Sequence, residues 1–214
     1  MAREASSSAG PSMTRVGTSV PDLFGASPPL WPSGLVYTPD FIDADEERRL
    51  LLAIRDVPMR DAQYYEYTAK RRVASFGASY DFESRQLHDA APVPEFLLPL
   101  RRRLAGTVSV TEDSFVQTLI TEYRPGTPLG WHRDALNYEL VAGVSLGGRC
   151  RIRFRPYPPR GGRDPNTFAI ELAPRSIYVM RDEVRWRWQH SIPAAPEQRW
   201  SITFRTLRNT VPHS

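Results

Sequence analysis

Residues 199–205 read Arg-Trp-Ser-Ile-Thr-Phe-Arg. Side chains alternate across a strand, so Arg199, Ser201, Thr203 and Arg205 share one face, and Trp200, Ile202 and Phe204 share the other. The apolar face ties the strand to a core. The polar face then turns two guanidinium groups into the interior of a β structure. An unpaired buried charge is very costly, so both arginines need anionic partners. Six residues of strand span about 20 Å and an arginine side chain reaches on the order of 6 Å. The gap left between the two is about the length of a small dicarboxylate, which the arginine–carboxylate fork would select.

A second stretch narrows the chemistry. Tyr123 to Asp134 reads Tyr-Arg-Pro-Gly-Thr-Pro-Leu-Gly-Trp-His-Arg-Asp. On a strand, His132 and Asp134 point the same way and can grip one metal ion from one side. A lone His-x-Asp is weak evidence, and His132 by itself reads equally well as a hydrogen-bonded core histidine. The chain has only three other histidines, His88, His190 and His213. His190 ends a β-like segment shortly before the arginine strand, which returns it to the same sheet. Two imidazoles and one carboxylate on one side of a metal, with open positions opposite, form the facial triad of non-haem Fe(II) oxygenases. Tyr123 can cover the same ligand and donate its hydroxyl to it. A metal beside a slot for a small dicarboxylic acid points to 2-oxoglutarate.

At 214 residues and 41% apolar, the chain suits one domain with one core. No apolar run approaches the roughly 18 residues of a membrane span. One cysteine, Cys150, excludes an internal disulfide and fits a reducing, cytoplasmic setting. A net charge of +4, with Lys70 the only lysine, makes the basic side almost wholly arginine. That permits a nucleic-acid partner without requiring one.

Residues 1–30, rich in Ser, Ala, Gly and Pro, are expected to form a disordered tail. A short strand over 34–41 and a capping box, Asp43 to Glu46, lead into a helix with Leu50, Leu51, Ile54 and Val57 on one stripe. Pro58 ends it. A second helix is expected from Pro94, with a kink threatened at Pro99, a basic far end at Arg101 to Arg103, and a stop at Gly106. From Phe115 the pattern is β: Phe115, Leu119 and Tyr123 on one face, with Gln117 and Thr121 between them, and Val116, Thr118 and Ile120 on the other. Arg124-Pro-Gly126 is a turn, and Gly147-Gly148 reads as a hairpin. The strand after it alternates Cys150, Ile152 and Phe154 with Arg149, Arg151, Arg153 and Arg155. Short strands over 167–172, 177–180 and 199–207, separated by Pro- and Gly-rich loops, indicate a sandwich or barrel.

These motifs make the chain resemble the AlkB family of Fe(II)/2-oxoglutarate-dependent dioxygenases. Tyr123-Arg-Pro-Gly, His132-Arg-Asp134, Val144-Ser-Leu-Gly147, His190 and Arg199 to Arg205 run in the family's order. The resemblance implies an α+β, mainly β chain whose core is a double-stranded β-helix (jelly roll), with N-terminal helices packed on one sheet. It places the dioxygenase core over 114–209, and helices with a substrate-lid region of the same domain over 31–113. It implies His132, Asp134 and His190 as ligands of Fe(II), with no catalytic side chain beyond them. Arg199 would hold the distal carboxylate of 2-oxoglutarate with help from Tyr123, and Arg205 would sit near the metal-proximal carboxylate. Ser201 and Thr203 would line the pocket, beside Thr121 where the family often has Asn. O2 is the third reactant.

The implied activity is oxidative demethylation of alkylated bases in single-stranded DNA or RNA, releasing succinate, CO2 and formaldehyde, by a monomer with no membrane contact. Arg71 and Arg72, with Phe76 and Tyr80, suit phosphates and stacked bases. The same cluster reads at least as readily as an exposed hairpin with its aromatics on the core, and His88 as a surface loop residue. Two other functions stay open at this point: an oxygenase of this fold acting on a protein or small molecule, and a binding module without turnover.

Overall fold

Asp43 starts the first helix as the capping box predicts. Its carboxylate accepts the Glu46 backbone N–H at 2.7 Å, and α1 (Ala44–Ile54) follows. Such a cap contributes about 1 kcal/mol. The computed structural model describes residues 31–64, 67–81, 84, 86–161 and 164–208; the expected tail over 1–30 lies outside the described residues. Strand β1 (Leu35–Thr38) precedes α1. Helix α2 (Leu98–Val108) is reached through a 3-10 turn, Glu95–Leu97. Pro99 sits in its first turn, where a missing N–H breaks no bond, so no kink follows.

Gly106 does not stop α2. An interior glycine costs only about 1 kcal/mol, and carrying on buries Val108 beside Leu104 and Ala105. Ser109 ends the helix instead, with φ at 60°. Arg101, Arg102 and Arg103 therefore lie mid-helix, not at a basic end. Arg102 meets Glu112 at 2.9 Å, and Arg103 pairs with Glu46 of α1.

The strands are β2 (Arg60–Tyr64), β3 (Tyr67–Phe76), β4 (Ala78–Asp81), β5 (Gln86–Asp89), β6 (Phe115–Tyr123), β7 (Leu129–His132), β8 (Tyr138–Gly147), β9 (Cys150–Pro156), β10 (Phe168–Leu172), β11 (Ile177–Met180), β12 (Trp188–Ile192) and β13 (Arg199–Leu207). A short helix, α3 (Asp182–Arg187), precedes β12. A seven-stranded sheet runs β1-β11-β8-β13-β6-β3-β2, a four-stranded sheet runs β10-β9-β12-β7, and β4 pairs with β5 alone. The two larger sheets make the jelly roll, a double-stranded β-helix. Helices α1 and α2 cover the outer face of the larger one: Leu50, Ile54, Leu100 and Leu104 pack on Ile120, Val144, Ile202 and Phe204. Between the sheets, Val141, Tyr178 and Met180 meet Cys150, Ile152, Phe154 and Leu172.

Two expectations fail, one at a crossing between sheets and one at a bulge. Gly147-Gly148 is no hairpin. β8 lies in the large sheet and β9 in the small one, and Gly147, with φ at 77°, turns the chain between them. Its N–H donates to Glu47 Oε1 of α1 at 2.8 Å, and Arg175, in the corresponding turn between β10 and β11, donates to Glu47 Oε2 at 3.1 Å. Phe115 also leaves the face it was assigned. A bulge between Arg205 and Thr206 shifts the β6–β13 register, and one extra residue reverses a side chain. Phe115 packs on Phe204 on the helix side, ring centres 5.5 Å apart. Among the described residues no helix is long and apolar enough to cross a membrane.

Candidate metal and co-substrate site

β13 delivers the polar face predicted for it. Arg199, Ser201, Thr203 and Arg205 line a cavity between the sheets, with Gln117, Leu119, Thr121 and Tyr123 of β6 beside them. Ser201 stands opposite Thr121, and Thr203 opposite Leu119. Ile202 and Phe204 are fully buried on the helix side.

The two histidines meet as direct cross-strand neighbours. β12 pairs with β7 in a register that sets His190 opposite His132, ring centres 4.2 Å apart. Asp134 joins them from beyond the end of β7, in the loop after the strand, so the shared strand face expected for His132 and Asp134 is not what aligns them. Other groups hold that loop. Arg185 of α3 donates to the Ala135 carbonyl at 2.5 Å and the Asp134 carbonyl at 3.4 Å. Arg205 grips the Asp134 carboxylate, with Nη2 2.8 Å and Nε 3.2 Å from Oδ1. That leaves Oδ2 facing His190 Nε2 at 3.6 Å.

One ligand atom from each of His132, Asp134 and His190 lies within 4.8 Å of the others. Two neighbouring ligands of one metal, at bonds of about 2.1 Å, sit roughly 3 Å apart, so the group needs only small side-chain shifts to close on an ion. Its protonation fits as well. His132 Nδ1 is 2.9 Å from the Gly130 carbonyl, which can only accept. Nδ1 therefore carries the proton, and Nε2 is left with its lone pair. Burial lowers the pKa of His132, and burial with the nearby His132 ring takes that of His190 down to about 3. Both rings are neutral near pH 7, the form that binds metal. Burial pushes the Asp134 carboxyl up, but Arg205 chiefly outweighs it and holds the group well below the usual carboxylate range.

Arg199 also lines the cavity. It is 1% exposed, and its guanidinium lies over the Tyr123 ring at 4.6 Å. Its one hydrogen bond is a long one to Ser145 Oγ, 3.5 Å, and Nε and Nη1 have no partner. An ion buried so poorly compensated costs several kcal/mol, out of a fold stability of about 5–15 kcal/mol. A carboxylate ligand would remove that cost. The two-arginine slot read from the sequence needs correcting, however. Arg205 spends Nε and Nη2 on Asp134 and Nη1 on Gln117 Oε1 at 3.0 Å, so of the two only Arg199 offers unmet donors.

The substrate-side expectations divide by strand face. Arg71, Val73 and Ser75 of β3 line the cavity, and Tyr80 of β4 stands at its rim. Arg72 and Phe76 point to the opposite face. Arg72 Nε is 2.5 Å from Glu122 Oε2, and Phe76 packs on the helix-side core. Period 2 separates Arg71 from Arg72, so the pair cannot act together. His88 is no loop residue: it lies on β5 at the rim.

Several lining residues were not anticipated: Gln117, Tyr138 and Tyr178 among them. Burial pushes the Tyr138 phenol up to about 12, so it stays a neutral O–H, and its oxygen has no hydrogen-bond partner. Tyr178 had a signal in the sequence. Gly143 interrupts the apolar run of β8, and a Cβ there would lie 2.4 Å from the Tyr178 ring. An isolated strand glycine marks such a close approach.

Known proteins resemble the chain in sequence and in fold. The chain is 28% identical to the Alkylated DNA repair protein ALKBH8 homolog of Arabidopsis thaliana over 93% of its length, spanning 65% of that protein. It is 26% identical to the uncharacterized protein L905 of Acanthamoeba polyphaga mimivirus, with 82% and 85% of the two chains aligned. With the tRNA (carboxymethyluridine(34)-5-O)-methyltransferase ALKBH8 of Mus musculus it shares 29% identity, spanning 24% of that longer protein. In fold it matches the solved structure of OsALKBH1, with a TM-score of 0.63 at 14% identity, over 82% of this chain and 98% of that one. A Pseudomonas putida prolyl-4-hydroxylase matches at a TM-score of 0.57 and 14% identity, over 82% and 93%. The family model described as the 2OG-Fe(II) oxygenase superfamily matches residues 34–205. The chain belongs to the 2OG-Fe(II) oxygenase superfamily, as an AlkB-family dioxygenase that uses Fe(II), 2-oxoglutarate and O2.

Proposed function

We propose that this dioxygenase removes alkyl groups oxidatively from bases of single-stranded nucleic acid, with His132, Asp134 and His190 as iron ligands and Arg199 as the anchor of 2-oxoglutarate. The observation that carries the reading is the size and lining of the cavity. Its volume is about 1410 Å³, above the roughly 300–1,000 Å³ of pockets for one small ligand. Its lining includes the ligand cluster, Arg199, and Arg71, Tyr80 and Trp131 besides. A cavity of that size has room for a co-substrate and an unstacked base together. The Arabidopsis relative is named for alkylated DNA repair and the mouse relative for tRNA, which agrees with a nucleic acid as substrate.

Iron and 2-oxoglutarate supply the oxidation of a C–H bond by O2; on an N-alkyl group the resulting hydroxyalkyl falls apart to an aldehyde and the free base. The chain supplies position. Arg199, seated on Tyr123, would fork onto the outer carboxylate, with Ser201, Thr203 and Thr121 beside the carbon chain. Arg205 keeps the Asp134 carboxylate ionised and aimed. The Gly130 carbonyl fixes the His132 ring so that one nitrogen is always the ligand. The Tyr138 hydroxyl is a donor without a partner near the substrate side. The walls around these groups exclude water.

The test loads the protein with iron without oxygen, then adds 2-oxoglutarate, O2, and methylated DNA or RNA oligonucleotides. Formaldehyde should form from the oligonucleotides in step with succinate, and His132→Ala should abolish both. Formaldehyde from no oligonucleotide, with succinate still produced, would leave the oxygenase in place and remove the nucleic-acid substrate.

A further inference from the structure

The outer face of the small sheet carries arginines that metal and co-substrate leave unused. β9 presents Arg149, Arg151, Arg153 and Arg155 there. On a merely solvated strand such arginines meet acids from their neighbours, and Arg151 does: its Nε lies 3.3 Å from Glu171 Oε1, while Glu197 Oε2 accepts the backbone N–H of Arg149 at 3.3 Å. Arg153 and Arg155 have neutral partners. Arg153 Nε donates to Ser191 Oγ at 3.1 Å, and Arg155 Nε to Gln189 Oε1 at 2.9 Å. Both guanidinium groups lie over the ring of Trp131, at 5.1 and 4.4 Å.

Trp131 immediately precedes the ligand His132, and with Gln189 it lines the cavity. Beyond it, Arg133 lies over the Tyr157 ring at 3.7 Å and donates Nη1 to the Trp186 carbonyl at 3.3 Å. Its partners too are a ring and a neutral oxygen. Tyr157 is 40% exposed. Three guanidinium groups are thus held still by rings and neutral acceptors, their charge uncancelled, beside the cavity. A guanidinium fixed in this way loses little further freedom on binding an anion, and its planar fork matches a phosphate. Arg153 and Arg155, two residues apart on one strand face, stand about 7 Å apart, a spacing on which successive phosphates of an extended strand can be followed.

We infer that this ledge, Trp131 with Arg153 and Arg155 continued by Arg133 and Tyr157, holds the sugar–phosphate backbone of single-stranded nucleic acid beside the nucleotide that enters the cavity. The inference rests on the nucleic-acid reading above and says where that strand runs. Each phosphate contact on a single strand contributes about −0.7 to the slope of log affinity against log salt. Binding of a fluorescein-labelled single-stranded oligonucleotide to the full chain, followed by anisotropy across a salt series, reads that slope.

Replacing both ledge arginines, Arg153→Gln with Arg155→Gln, should flatten the slope by about 1.4 and weaken binding most at low salt. The pair Arg149→Gln with Arg151→Gln removes the same charge from the same strand and should leave the slope unchanged. Arg153→Lys with Arg155→Lys should restore most of it, which a folding defect would not allow. Equal flattening in the two glutamine pairs means that net charge alone is read, and the ledge is wrong. An unchanged slope in the first pair, while the parent protein still binds and demethylates, also ends the ledge but spares the function. A parent protein that binds no oligonucleotide ends both. Binding of polyglutamate as tight as that of the oligonucleotide, through the same two arginines, replaces the nucleic-acid strand with an acidic peptide.

Discussion

The two ends of β13 carry the same residue on the same face and meet opposite fates. At one end Arg205 is saturated: three of its nitrogens bond to Asp134 and Gln117. At the other end Arg199 is the largest fully buried side chain among the described residues, with one long bond and two nitrogens unmet. The first is part of the scaffold, a counter-ion that keeps a metal ligand charged and aimed. The second is a buried cation with unmet donors, which an anion would complete and which is held only at the expense of the rest of the fold. Alternation along a strand says which residues point inward. Whether each finds a partner there depends on what another segment brings, and here the loop after β7 brings a carboxylate to one end only.

This contrast predicts opposite signs for the same substitution. Arg205→Met strips a buried carboxylate of its counter-ion, which costs about 3–5 kcal/mol. The metal-free protein should melt at a markedly lower temperature, and iron affinity measured by titration should collapse. Arg199→Met removes a buried cation that lacks an anion, and an apolar replacement at such a site is neutral or stabilising by about 1–4 kcal/mol. The metal-free protein should then melt at the same temperature or higher, while 2-oxoglutarate affinity falls by about 100-fold, the 2–3 kcal/mol of a lost buried charge-assisted contact. If Arg199→Met destabilises the ligand-free protein as Arg205→Met does, Arg199 already has a partner and the contrast is void.

The same two arginines show what could be read in the sequence. Period 2 located both side chains, and the order of motifs brought His132, Asp134 and His190 together before any contact was known. The capping box at Asp43 and the apolar face of β13 were equally plain, because each depends on spacing within a few residues. What stayed hidden depends on a partner distant in the chain. Arg205 looked free for the co-substrate because Asp134 was assigned to a strand. Arg72 was paired in thought with Arg71, although the two face opposite sides. Gly147-Gly148 has the composition of a hairpin, but Glu47, one hundred residues earlier, pins it as a crossing between sheets. Local chemistry marked these positions as special; only the long-range contacts decided how each was used.

The smallest predicted effect bears most closely on whether Arg199 is open. Its sole hydrogen bond, to Ser145 Oγ, is 3.5 Å long, beyond the usual range of about 2.7–3.2 Å for an N–H···O bond. A bond so stretched contributes little, and Ser145 is itself fully buried, so removing its hydroxyl also removes a desolvated polar group. Ser145→Ala should therefore change the melting temperature of the ligand-free protein by no more than about 0.5 kcal/mol would, and 2-oxoglutarate affinity by less than about twofold. A large loss of affinity would mean that Ser145 aims the guanidinium, and that the pocket is built by orientation as well as by unmet charge. The contrast along β13 would then lie between an arginine held by a carboxylate and one held by a hydroxyl, and the 2-oxoglutarate carboxylate would complete an arrangement that Ser145 has already begun.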